Sequence, residues 1–235
     1  LTSMFDPDSH LNEADTADAT AHHLTALTPT EGTDDADDLT LNEDSATVLK
    51  GGDDSVEITD GSHLIYGGEG NDSIEVTEAS DGVTQLFGGE GDDVLTADLV
   101  QNTDTALIGG DGDDTITFGM GHYVEGGEGN DTVLGRDGDD FLRGGGGEDR
   151  VFGDEGNDTL KGDGGNDHVS GGNGNDQVGG GAGNDTVGGN DGDDLLTGGD
   201  GEDVLNGGEG VDHLFGQEGD DTLNGDEGND ILTDG

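Results

Sequence analysis

The chain has 235 residues, 59 of them acidic and 5 basic, for a formal net charge of −54. A charge of that size and sign excludes nucleic acid and anionic membrane surfaces as direct partners. With 26% hydrophobic and 3% aromatic residues, 51 glycines and no cysteine, the chain can build neither a thick apolar core nor a disulfide framework; a divalent metal is the staple that so many carboxylates suit.

Residues 1–31 mix Ala, Thr, Asp and His around both prolines with no sustained period, and read as a linker or disordered segment. The start, LTSMFDPDSH, lacks the basic-then-apolar order of a cleavable signal. No run approaches the roughly 18 apolar residues of a membrane span, so membrane insertion is not expected. With Leu1 first and only Asp234 and Gly235 after the last repeat, the chain reads as part of something longer.

From residue 32 to 125 a signature recurs sparsely, as GGEGNDSIE from Gly67, GGEGDDVLT from Gly88 and GGDGDDTIT from Gly109, with partial forms around Asp54 (KGGDDSVEI) and Asp37 (DDADDLTL). Its aspartates stand at 37, 54, 72, 93, 114 and 131, spaced 17, 18, 21, 21 and 17. From Gly126 to Thr233 the sequence locks into twelve consecutive nonapeptides. The first and fourth positions are Gly in all twelve, the sixth is Asp and the eighth Val or Leu. A flexible tether has no reason to keep an aliphatic residue two after every aspartate. Turn residues with two fixed glycines followed by Asp-x-aliphatic predict a tight turn that opens into a short strand with one inward side chain. Each unit is then half a coil. The upstream spacings predict whole coils in which one edge keeps the pattern while DGS, ASDGVT and VQNTDT form ordinary loops on the other. Residues 32–125 are thus expected to carry metal turns on one edge, and residues 126–235 on both.

The repeat GGxGxDxUx resembles the hemolysin-type calcium-binding nonapeptide of the RTX family. The resemblance implies an all-β fold, a right-handed parallel β-roll (β-solenoid) of about eleven coils with calcium in its turns. It also implies that each ion lies between turns one coil apart. There it is held by the carbonyls of positions two and four of one turn, those of positions one and three of the next, and both sixth-position carboxylates. The first regular site would use the carbonyls of Gly127, Gly129, Gly144 and Gly146 with Asp131 and Asp149. One edge runs Asp54, Asp72, Asp93, Asp114, Asp131, Asp149, Asp167, Asp185, Asp203 and Asp221; the other runs Asp140, Asp158, Asp176, Asp194, Asp212 and Asp230. Adjacent pairs give roughly ten to fourteen ions. The donor chemistry suits calcium on its own terms, because a hard cation takes oxygens and glycine turns expose carbonyls that larger residues shield.

With one aliphatic side chain per nonapeptide against carboxylates lined up on each edge, the metal-free chain is expected to be disordered and metal binding to supply folding free energy. Extracellular calcium modules bind at about 10⁻⁴ to 10⁻³ M, far above cytosolic calcium. The resemblance therefore implies a secreted, extracellular or cell-surface bacterial protein of the type I secretion kind, unfolded inside the cell. Calcium ions are the expected partners, with a flanking domain or self-association through an uncapped end. Two other readings stay open: the non-catalytic repeat portion of an extracellular protease, lipase or alginate epimerase, or an adhesin or surface-layer segment. No HExxH, GxSxG, P-loop or complete EF-hand spacing occurs, so the chain is read as no enzyme.

Two further expectations concern the surface. Tyr66, Phe87 and Ile108, at the ninth position, should stack into an exposed apolar ladder, either a docking surface for a partner or a seat for the upstream loops. His63, His168 and His213 are read as solvent-facing at the seventh position, and the His22–His23 pair lies in the linker.

Overall fold

The computed structural model describes residues 30–77, 84–97, 105–119 and 123–235. Within them the chain alternates between two parallel sheets, one of twelve strands and one of eleven, and no helix occurs among the described residues. Each strand pairs with the strand one coil away, never with its neighbour in sequence. Val124 thus stands opposite Leu142 in the first sheet, and Val133 opposite Val151 in the second. The fold is a parallel β-solenoid whose interior is a file of eighth-position aliphatic residues running between the sheets, from Val133 to Leu214 in the regular part.

The regular strands are longer than the repeat predicts. Arg150–Glu155 and Phe141–Gly146 are typical, each six residues from the seventh position of one unit to the third of the next. Period-two alternation therefore turns two residues inward, the eighth-position aliphatic and the first-position glycine, as in Leu142 and Gly144. An inward glycine leaves the space at the end of the core empty of side chains. Only positions four to six make the turn.

Upstream, the second-sheet strands from Ser55–Ile58 to Thr115–Phe118 are four residues long and bury two apolar side chains each: Val56 and Ile58, Ile74 and Val76, Leu95 and Ala97, Ile116 and Phe118. Continuing the pairing of Thr117 with Leu134, Phe118 falls opposite Gly135. Phe118 pairs in turn with Ala97, Ile58 with Val76 and Leu41 with Ile58. These side chains stand where the regular coils have their inward glycine.

Two surface expectations need correction. Tyr66, Phe87 and Ile108 do lie in one row, and the Tyr66 and Phe87 rings stack at 4.6 Å. Yet Phe87 is only 3% exposed, with a neighbour on each side, so the row is no open ladder. His63 is fully buried rather than solvent-facing. Its pairing with Ser45 and Thr84 puts it in the sixth-position row, the row of Asp140, and not the seventh. Its Nδ1 meets Ser45 Oγ at 2.8 Å and its Nε2 meets the Asp60 carbonyl at 2.6 Å. A carbonyl only accepts, so Nε2 carries the proton and Nδ1 accepts from the serine hydroxyl. Burial pushes the His63 pKa down, which keeps the ring neutral. His168 and His213 are exposed as expected, and His22–His23 lie outside the described residues.

Candidate metal centres

At the regular turns from Asp131 to Asp212 the sixth-position aspartate is buried. Asp131 is 0% exposed and Asp149 2%. The two carboxylate oxygens have different surroundings. Oδ1 reaches back one coil and accepts a hydrogen bond from the backbone N–H of the preceding aspartate, as Asp149 Oδ1 does from Asp131 N at 2.8 Å. The same contact recurs without a break along the first edge from Asp37 to Asp221. On the second edge it runs from Asp140 to Asp230. The coils of 17 and 21 residues keep it as well, at 2.6–2.8 Å. Across this edge the count from one inward aliphatic to the next stays at nine, as from Leu86 to Leu95 and from Leu107 to Ile116, so its register is untouched.

Oδ2 has no hydrogen-bond partner. It is buried and unsatisfied in Asp54, Asp72, Asp93, Asp114, Asp131, Asp149, Asp167, Asp185, Asp203 and Asp221 on the first edge, and in Asp140, Asp158, Asp176, Asp194 and Asp212 on the second. A buried carboxylate oxygen left alone costs far more than a surface one and implies a missing cation or proton. The surroundings suit a cation. A Cβ placed on Gly126 would lie against Asp131 Oδ2 and 2.6 Å from the Gly144 carbonyl oxygen, so carboxylate and carbonyl converge on the space that the first-position glycine leaves free. The carbonyls of Gly127 and Gly129 face the following turn, where a Cβ on Gly145 or Gly147 would collide with them. The Gly146 carbonyl faces back and accepts the Gly129 N–H at 2.6 Å. The four carbonyls and two carboxylates named from the sequence thus lie along one gap between two turns. All are oxygens, the preference of a hard divalent ion such as calcium. Among the described residues no three His, Cys, Asp or Glu side chains form a metal-holding group.

Electrostatics point the same way. Loss of water raises the carboxylate pKa first, nearby carboxylates raise it further, and the Oδ1 hydrogen bond only partly opposes them. Asp131, Asp149, Asp158, Asp167, Asp185 and Asp194 are pushed up to about 6. Asp93 and Asp176 reach about 7 and Asp114 about 8. Asp54, Asp203 and Asp212 shift in the same direction. Each group is held in a place where its negative charge needs a positive partner.

The ends and the upstream second edge differ. Asp37 Oδ2 accepts the Thr33 N–H at 2.8 Å, so the first turn closes on itself. Gly32 takes the first-position role there, its Cβ position lying 2.6 Å from both Asp37 Oδ2 and the Leu49 carbonyl; the partial DDADDLTL pattern alone does not reveal it. Beside Asp54 the first position is the buried Leu49. Asp230, in the last turn, is partly exposed. On the upstream second edge the sixth-position row holds Ser45, His63, Thr84 and Thr105, none of them charged there, and Ile58, Val76, Ala97 and Phe118 fill the first-position space. Apolar side chains occupy that cradle.

Two details of the turns were not legible in the motif. Among the described residues all seven non-glycine residues with positive φ, Lys50, Arg136, Asp154, Asp163, Asn190, Gln217 and Asp226, are at the second position, with φ between 64° and 89°. The carbonyl orientation there requires a left-handed backbone, which costs a side-chain-bearing residue about 1–2 kcal/mol. Fifth-position Asn and Asp side chains form a second ladder. Asn130 Oδ1 accepts the Glu148 N–H at 2.8 Å and Asn157 Oδ1 the Asn175 N–H at 2.9 Å. This explains why short amide and carboxylate side chains recur at the fifth position.

Comparison with known proteins agrees with this geometry. A family model described as RTX calcium-binding nonapeptide repeat (4 copies) matches residues 50–81, 78–99, 106–125, 125–160, 152–187, 180–214 and 197–232. No curated protein matches the chain. A solved structure of a hyperactive, Ca2+-dependent, beta-helical antifreeze protein from an Antarctic bacterium is similar at 22% identity. The match covers 88% of this chain and 84% of that one, with a TM-score of 0.36.

Proposed function

Because the chain belongs to the RTX calcium-binding nonapeptide repeat family, we propose that calcium entering the gaps between coils folds the module and stiffens it. The observation that carries this reading is the row of buried, unpartnered Oδ2 atoms. Among the described residues fifteen aspartates have one, and all but Asp221 are followed by a further turn on the same edge. The proposed load is therefore nine ions on the first edge and five on the second. Each ion would be held by the carbonyls of the second and fourth positions, those of the first and third positions one coil later, and the two sixth-position carboxylates.

The core supports the same reading. From Val133 to Leu214 each nonapeptide of the regular part buries one aliphatic side chain, while ordering its backbone costs about 1–2 kcal/mol per residue. Binding free energy released on assembling the sites is then folding free energy. Affinities of the order of 10⁻⁴ to 10⁻³ M, usual for extracellular calcium modules, would leave the chain unfolded in cytosol and folded outside. The proposed role is that of a non-catalytic, exported module that becomes a rigid rod on meeting external calcium. Among the described residues no helix is long and apolar enough to cross a membrane.

Circular dichroism during a calcium titration from excess chelator tests this. The expected result is a coil spectrum that converts to strand as calcium rises. Full strand signal in chelator would overturn it.

A further inference from the structure

The two halves of the solenoid solve the same problem differently. In the regular part both ends of the core are polar gaps that need a cation, because the first position is glycine and the sixth is aspartate. Upstream, the second edge has neither. Ile58, Val76, Ala97 and Phe118 occupy the glycine row, all at most 2% exposed. His63, in the aspartate row, is neutral and hydrogen-bonded to Ser45 and to the Asp60 carbonyl. Of the 25 buried hydrophobic residues among the described ones, 14 fall between Leu49 and Phe118 and the other 11 between Val124 and Leu214. The upstream coils thus carry three or more inward apolar side chains against two per regular coil, and need ions on one edge only.

We propose that the coils formed by the strands from Asp38–Leu41 to Thr115–Phe118 are a nucleus that orders at lower calcium than the coils downstream, which then stack onto it. This rests on the reading that calcium drives folding, and gives that folding a direction along the chain. Two physical consequences separate the halves. An extra buried side chain per coil lowers the calcium needed to hold it. By linkage, the steepness of folding with calcium counts the ions taken up, one per coil upstream and two downstream.

Hydrogen exchange of the full chain, read peptide by peptide across a calcium titration, tests the proposal. Peptides within 45–118 are expected to gain protection at a midpoint about threefold lower or more, and with about half the steepness, of peptides within 141–214. Coincident or reversed midpoints overturn the nucleus while leaving calcium-driven folding intact. Protection independent of calcium in both halves overturns the underlying reading instead. Phe118→Gly restores the regular glycine, and is expected to move the upstream midpoint towards the downstream one while full protection returns at saturating calcium. Ala97→Gly, a smaller change, does the same more weakly if the first variant fails to fold. An unmoved upstream midpoint in a folded variant refutes the filled edge as the cause.

Discussion

Asp149→Asn separates the two duties of a sixth-position carboxylate. Its Oδ1 accepts the Asp131 N–H at 2.8 Å, and its Oδ2 is buried without a partner. Asparagine keeps an acceptor for the first duty but presents an NH2 group, a donor only, to the gap that should hold a cation. Asp149 faces two gaps, one shared with Asp131 and one with Asp167, so two ions on the first edge should be lost or weakened and the second edge spared. A site filled at one hundred times its dissociation constant contributes about 2.7 kcal/mol, so emptying both lowers stability by about 5 kcal/mol at that calcium level. Asp149→Ala should cost a further 1–3 kcal/mol or so, because the Asp131 N–H loses its acceptor as well. In chelator the order reverses. Burial and the neighbouring Asp131 hold the Asp149 pKa up at about 6, so at neutral pH the asparagine removes an unfavourable buried charge and the metal-free variant should be no less ordered than the parent. Native mass spectrometry counts the ions, and urea unfolding at fixed calcium gives the stability. An unchanged ion count, or a loss that spreads to the second edge, would refute pairwise sharing of carboxylates between successive coils.

Other outcomes follow from the same geometry. Protons and calcium compete for one set of carboxylates. A raised folded-state pKa stabilises the metal-free fold fully below about pH 4 and loses that effect as pH rises through 6 to 8, the range of Asp131, Asp93 and Asp114. Chelated protein should therefore show more strand by circular dichroism at pH 5 than at pH 8, and calcium uptake in weak buffer between pH 6 and 8 should release protons. Gln217→Gly relieves a positive φ of 80° and should raise the unfolding free energy from urea denaturation at saturating calcium by about 0.5–1 kcal/mol, the left-handed strain less the entropy glycine loses. Glu148 interrupts the fifth-position ladder, its carboxylate reaching only the Asn166 side chain at 3.4 Å. Glu148→Asn should cap the Asn166 N–H and add about 0.5–1 kcal/mol in the same assay, whereas an unchanged midpoint would show that the ladder contributes nothing.

The period of nine, the first-position glycines and the sixth-position aspartates are legible in the sequence because each repeats the same local demand. A strand of alternating faces needs one aliphatic inward, and a turn whose carbonyls line a cation site cannot carry a Cβ. Such demands are met within one unit, so counting residues is enough to place Asp131 above Asp149 and Asp140 above Asp158. Only the tertiary structure decided what depends on which residues stand side by side once coils of unequal length are stacked. The 17- and 21-residue spacings break the count, yet the first edge keeps every aspartate in contact, because hydrogen-bonded register between strands fixes the residues on either side of each turn of that edge. The same register places Phe118 beside Gly135 and His63 in the row of Asp140, which turns an apparently degenerate edge into one filled with apolar side chains. It also covers Phe87, whose alternation marked it as outward. Local spacing tells which way a residue points from its own strand; only the stacking of neighbouring coils tells what it meets there.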